Sequence, residues 1–382
     1  MITSLVAWKV LALATSQEAP NPQEEETPRD FLSAEMPGIA GMPTTLTLQH
    51  FVFPMAEPKT SPKHLWKFPF VTAGFVKTSK EGENFSPRFR VFAQSRRVPD
   101  PPLMHDDVAQ WSTRMFLRLW DYNFARLRID HSERFRRGVD VYLCFAGDAG
   151  GEHLFDVDTF DTDASGNPKR VNTIYIYQVH RIAAPIQLSR EIAHEYGHAI
   201  LPAIGPYEGP EDWANGEVGE RLYLQWLRDD LVAGKLSTDD MVHTDVAALN
   251  EYLAKNVHPL VVSMGTKGPN RELLGGKSKE SFYEYVALTT YVGQILPSRV
   301  FGRSLMLTGS QKAMDYEKAI RDAVAEVPSL EITVPAVLKG KSIYLPVGEK
   351  AKLSGAKVLS RSNGWAKVQP SAAKIKVTQP ES

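Results

Sequence analysis

His194 and His198 stand four residues apart in the stretch Ser189-Arg190-Glu191-Ile192-Ala193-His194-Glu195-Tyr196-Gly197-His198, with Glu195 beside the first of them. On a helix, residues i and i+4 leave the same face, so both imidazoles can meet one cation. Glu195 is rotated to one side, where a carboxylate can act as general base toward a water. Chance alone would give on the order of 0.02 such H-E-x-x-H matches in a chain of this composition. Gly197 costs a helix roughly 1 kcal/mol against alanine, a cost that makes sense where another backbone passes close by.

A metal site that does chemistry needs a third protein donor and one open position. The short-spaced pattern H-E-x-x-H-x-x-G-x-x-H fails, because Leu201 and Ile204 stand where Gly and His are required. Downstream, Glu217 follows His198 after 18 intervening residues, and Glu220 lies one turn later on about the same face. Either carboxylate can complete the site, and the other can orient a histidine from behind.

The elements that must position these residues are legible around them. Pro185 opens a helix that runs to about Ile200, and Pro202 stops it. Pro210 is expected to open the next helix, with Trp213, Val218, Leu222 and Leu227 as its apolar positions. Helical periodicity also marks 106–128, 238–256, 278–296 and 310–326. Residues 139–145 read as a buried strand around Cys144, and 173–179 as a half-exposed one. In the second, Ile174 and Ile176 alternate with Tyr175 and Tyr177, so an exposed edge with both tyrosines against an extended substrate is expected. Residues 147–167 read as a long Gly- and Asp-rich loop, with Asp156, Asp158, Asp161 and Asp163 solvated. Arg134, Arg136 and Arg137 read as a solvated basic face.

The zinc motif and its surroundings resemble the gluzincin metallopeptidases, the clan of thermolysin and the aminopeptidase-N-like enzymes. The resemblance covers roughly residues 170–305 and rests on H-E-x-x-H followed by a glutamate on a second helix. It implies Zn²⁺ on His194, His198 and Glu217, Glu195 as general base, and a zincin-like core. Aminopeptidase-N-like members carry W-x-N-E-G, whereas this chain has Trp213-Ala214-Asn215-Gly216-Glu217, with Glu and Gly transposed, which keeps Glu220 in play. The family tyrosine that stabilises the oxyanion corresponds to Tyr283, although Tyr285 and Val286 replace the usual Lys and Gly; Tyr285 or His180 are the other donors available. The G-x-M-E-N segment of aminopeptidases is absent.

Composition bounds the rest. The 382 residues carry 44 Lys and Arg against 45 Asp and Glu, a net charge of −1 that argues against a nucleic-acid binder. The single Cys144 excludes a disulfide framework and any Cys-rich metal site, so a metal must be held by histidines and carboxylates. No stretch reaches the roughly 18 apolar residues of a membrane span. Residues 1–16 read as a signal peptide, implying export to a periplasmic or extracellular space, and 17–36 as a disordered spacer. A β-rich segment is expected over 37–100, a catalytic domain over 101–327, and a small all-β module over 328–382. The fold class is α+β with a helical carboxyl-terminal half. The function expected is zinc-dependent hydrolysis of peptide bonds in a peptide or protein substrate. A non-catalytic zinc-containing scaffold and a hydrolase of non-peptide amides remain as alternatives.

Overall fold

The structure is a computed structural model that describes residues 33–37, 45–52, 59–77 (apart from 62, 65 and 69), 87–94, 108–129 and 138–380 (apart from 163–164 and 166–167). The expected signal peptide lies outside these residues, as do Arg134, Arg136 and Arg137; of the expected spacer, only 33–36 are described. The chain mixes helices and strands and divides into two units, each described by itself. One comprises the described residues up to Arg118, Ser132–Ile192 and Thr238–His243; the other comprises Leu119–His131, Ala193–Ser237 and the chain from Thr244 onward.

The first unit is built on a seven-stranded sheet. Its strands are β1 (Ser33–Pro37), β2 (Thr45–Val52), β5 (Phe70–Lys77), β6 (Pro87–Ala93), β7 (Val139–Leu143), β8 (Gly150–Thr162) and β9 (Pro168–Tyr177), in the order β1-β2-β5-β6-β7-β9-β8. A short ribbon of β3 (Lys59–Thr60) and β4 (Lys67–Phe68) stands apart from it. Helix α1 (Val108–Asp121) follows β6, and its turns Thr113 and Leu117 pack against Gly74 of β5. Phe68, Val71, Phe75, Phe92, Tyr142, Cys144 and Tyr175 form one buried cluster. Strands on both sides of position 100 share this sheet.

Two expectations are corrected here. The acidic stretch expected to be a loop is mostly strand β8, which pairs antiparallel with β9. Ladder bonds are made by the main chain, so an Asp-rich segment can be a strand when a neighbour offers its backbone. Strand β9 is not an edge, because it pairs in parallel with β7 on one side and with β8 on the other. It has no free ladder to offer an extended peptide. Tyr175 is 0% exposed and accepts a hydrogen bond from the Lys63 main-chain N at 3.1 Å, while burial pushes its phenol up to about 12. The Tyr177 hydroxyl donates to Glu152 at 2.7 Å. Tyr175 is therefore closed off from the substrate contact expected for it, whereas the half-buried Tyr177 is engaged with Glu152.

The second unit carries the helices. α2 (Pro185–Ile200) enters it at Ala193 and is followed by α3 (Asn215–Val232), α4 (Val246–Asn256), α5 (His258–Lys267), α6 (Arg271–Gly275), α7 (Lys279–Ile295), α8 (Ser298–Leu307) and α9 (Ala313–Ala325). α3 starts five residues after Pro210, because the main chain before it bonds into a loop instead: Tyr207 N donates to Asp212 O and Ala214 N to Ile204 O. The helix expected over 238–256 is also interrupted. Val242 and His243 adopt left-handed φ of 53° and 60°, and α4 starts only after Asp245, whose side chain accepts from Ala248 N at 2.8 Å.

After Pro328 the chain forms two three-stranded antiparallel sheets. It is anchored to the helices of its own unit: Trp365 Nε1 donates to the buried Glu317 of α9 at 2.7 Å, and the Tyr291 hydroxyl of α7 donates to Tyr344 O at 2.6 Å. Among the described residues no helix is long and apolar enough to cross a membrane.

Candidate metal centre

The centre is assembled where α2 crosses α3. The crossing is glycine on glycine: a Cβ added at Gly219 would stand 2.5 Å from the Gly197 Cα, and one added at Gly197 would stand 2.9 Å from the Gly219 Cα. This is the close backbone approach that Gly197 foreshadows in the sequence. It lets α3 side chains reach behind the imidazoles of α2.

Each imidazole is held from behind. His194 Nδ1 lies 3.3 Å from Glu220 Oε2, and His198 Nδ1 lies 2.9 Å from Asn215 Oδ1. The orientation of the Asn215 amide follows from its other end, which donates to His198 O and Leu201 O at 3.1 and 3.2 Å. Carboxylate and amide oxygens can only accept, so each Nδ1 carries a proton, which leaves Nε2 as the ring nitrogen that could bind an ion once it gives up its own proton. The two Nε2 atoms are 3.2 Å apart.

Carboxylates surround this pair. Glu195 is 3% exposed, and one of its oxygens lies within 4.8 Å of a ring nitrogen of each histidine. Glu211 sits in front: its Oε1 is 3.2 Å from His194 Nε2 and its Oε2 is 3.4 Å from His198 Nε2. Glu217 also comes within 4.8 Å of His194 and Glu211, but its carboxylate pairs with Arg221 one turn on. A Cβ added at Gly216 would stand within 2.5 Å of both Nε2 atoms. Any side chain at 216 would therefore collide with both imidazoles. Two facing imidazole nitrogens with carboxylates around them are a donor set that can hold a divalent ion.

The electrostatics agree. Burial alone would lower the pKa of His194, but its hydrogen bonds to Glu211 and Glu220 outweigh that and hold it well above the ordinary value. Burial alone would raise Glu211, yet the two histidines bring it down from 4.5 to about 2. Without an ion the site is an imidazolium–carboxylate pair.

His194, Glu195, His198, Glu217 and Glu220 are thus brought together, with Glu220 behind His194 in the orienting role. Tyr283, near the start of α7, is 37% exposed; its ring meets Phe282 edge-on at 5.3 Å, and it makes no hydrogen bond to the cluster. Tyr285 is buried against Tyr316, and His180 belongs to the other unit. Glu211 and Asn215 were missed as site residues. Asn215 was visible beside Trp213, but Glu211 lies in an irregular loop that no helical spacing could single out. Comparison with protein-family models, with curated proteins and with solved structures finds no match to this chain.

Proposed function

We propose that the chain is a zinc-dependent hydrolase of peptide bonds, with a zincin-like core made by α2 and α3. His194 and His198 are its imidazole ligands and Glu195 its general base. The observation that carries this reading is the pair of imidazoles whose Nδ1 atoms are fixed by Glu220 and Asn215, so that both Nε2 atoms face one point. A histidine pair serving only as packing has no need of two such partners. Zinc, when bound, polarises a carbonyl and lowers the pKa of water.

Glu195 does the proton work. Its carboxylate is buried beside the pair, where it can take a proton from the attacking water and hand it to the departing amine. The absence of a thiol in the site leaves imidazole and carboxylate ligands, a combination found in catalytic zinc sites.

The purified chain should carry about one zinc and cleave members of a broad peptide library. Glu195→Gln should keep the zinc and lose roughly 10²–10⁴-fold in turnover, the usual worth of a positioned base. Undiminished cleavage by that variant would remove Glu195 from the chemistry. Bound zinc without any turnover in the wild type would favour a binding or scaffold protein.

A further inference from the structure

We infer that Glu211, delivered by the loop before α3, is the third protein donor to the metal, and that Gly216 makes room for it. The inference rests on the zinc-hydrolase reading above and deepens it.

Three distances carry it. His194 Nε2 to His198 Nε2 is 3.2 Å, His194 Nε2 to Glu211 Oε1 is 3.2 Å, and His198 Nε2 to Glu211 Oε2 is 3.4 Å. Donors around a tetrahedral zinc with bonds of ~2.0–2.1 Å stand about 3.3–3.4 Å from one another. The two Nε2 atoms therefore already have the mutual spacing of two such donors, and each has one oxygen of the Glu211 carboxylate at a similar distance.

The helix-borne carboxylates are engaged elsewhere. Glu220 lies against His194 Nδ1, the nitrogen that faces away from the pair. Glu217 is paired with Arg221, whose Nη1 also donates to Glu217 O at 2.9 Å. The position of α3 that aims directly at the two Nε2 atoms is 216. Glu217 is one residue on, about 100° round the helix. A side chain at 216 would drive its first carbon into both imidazoles. Glycine avoids that collision, and the carboxylate that does meet the two Nε2 atoms comes from the loop.

That loop is well held. Gly205 N donates to Gln311 O, Tyr207 N to Asp212 O, Glu208 N to Lys277 O and Ala214 N to Ile204 O, at 2.8–3.1 Å. The Tyr207 ring packs edge-on against Phe282 at 5.4 Å. Glu211 is thus presented by a turn that main-chain hydrogen bonds hold in place.

The test is zinc affinity, measured by competition with a chelating dye on the full chain, for wild type, Glu211→Gln and Glu217→Gln. Circular dichroism of each chelator-treated protein checks folding. Glu211→Gln should bind zinc more than a hundredfold more weakly, beyond the 10–100-fold that a partner behind the ligands carries. Glu217→Gln should stay within about tenfold of wild type. If Glu211→Gln does not fold, Glu211→Asp, which keeps the charge, is compared with Glu211→Ala, and the Asp variant should bind at least about tenfold more tightly. A hundredfold loss in Glu217→Gln, with Glu211→Gln near wild type, would overturn the inference and leave the zinc-hydrolase reading standing. Equal affinities of Glu211→Asp and Glu211→Ala would also overturn it. A wild type that takes up no zinc would overturn both.

Discussion

At the residue scale, the geometry of the two imidazoles is set by the groups behind them. Asn215 and Glu220 fix the tautomers of His198 and His194, and the amide of Asn215 is itself fixed by two carbonyls. The price in the metal-free protein is a buried, mutually dependent charge pair. His194 has a raised pKa, so its contribution to stability is complete below 6.5 and is lost as pH rises through the folded value. Glu211 has a lowered pKa, so its contribution is complete above 4.5 and is lost as pH falls toward about 2. The stabilisation of metal-free wild type over Glu211→Gln should therefore be greatest between pH 4.5 and 6.5 and decline on both sides. Thermal midpoints of the two proteins across pH measure it, and a difference that ignores pH would rule the pair out.

At the scale of elements, the decisive feature is the crossing of α2 and α3 through Gly197 and Gly219. Backbones this close leave no room for a methyl group. Gly219→Ala should destabilise the protein by about 1–3 kcal/mol or more, as overpacking does, although alanine favours helix. Urea unfolding of the metal-free protein measures this, and a neutral or stabilising result would mean that the helices separate freely. Gly197 could be read as a contact point from sequence, because a helix-breaking residue in a strong motif asks for a reason. The helices over 185–200, 279–295 and 313–325 were likewise legible, since their apolar periodicity and flanking Pro or Ser are local signals. What could not be read is non-local. The partner strand makes β8 a strand despite its aspartates, and pairing on both sides makes β9 an inner strand despite its alternation. Glu211 escaped for the same reason, because its place depends on bonds from the loop to Gln311 and Lys277, far along the chain.

At the scale of the whole molecule, stability is distributed unevenly around the site. The imidazoles ride on a helix crossing with no slack, whereas Glu211 rides on a turn pinned by a handful of main-chain hydrogen bonds. Segments of this second kind open locally at far lower free energy than packed helices do. On the reading proposed above, the residence time of a bound ion would then be set by the breathing of the turn, and the ion would exchange without unfolding of the protein. Amide hydrogen exchange at Tyr207, Glu208 and Ala214 should slow on zinc addition far more than exchange at Tyr196 or Tyr223 in the crossing helices. Equal slowing throughout would mean that the ion is released only when the whole unit comes apart.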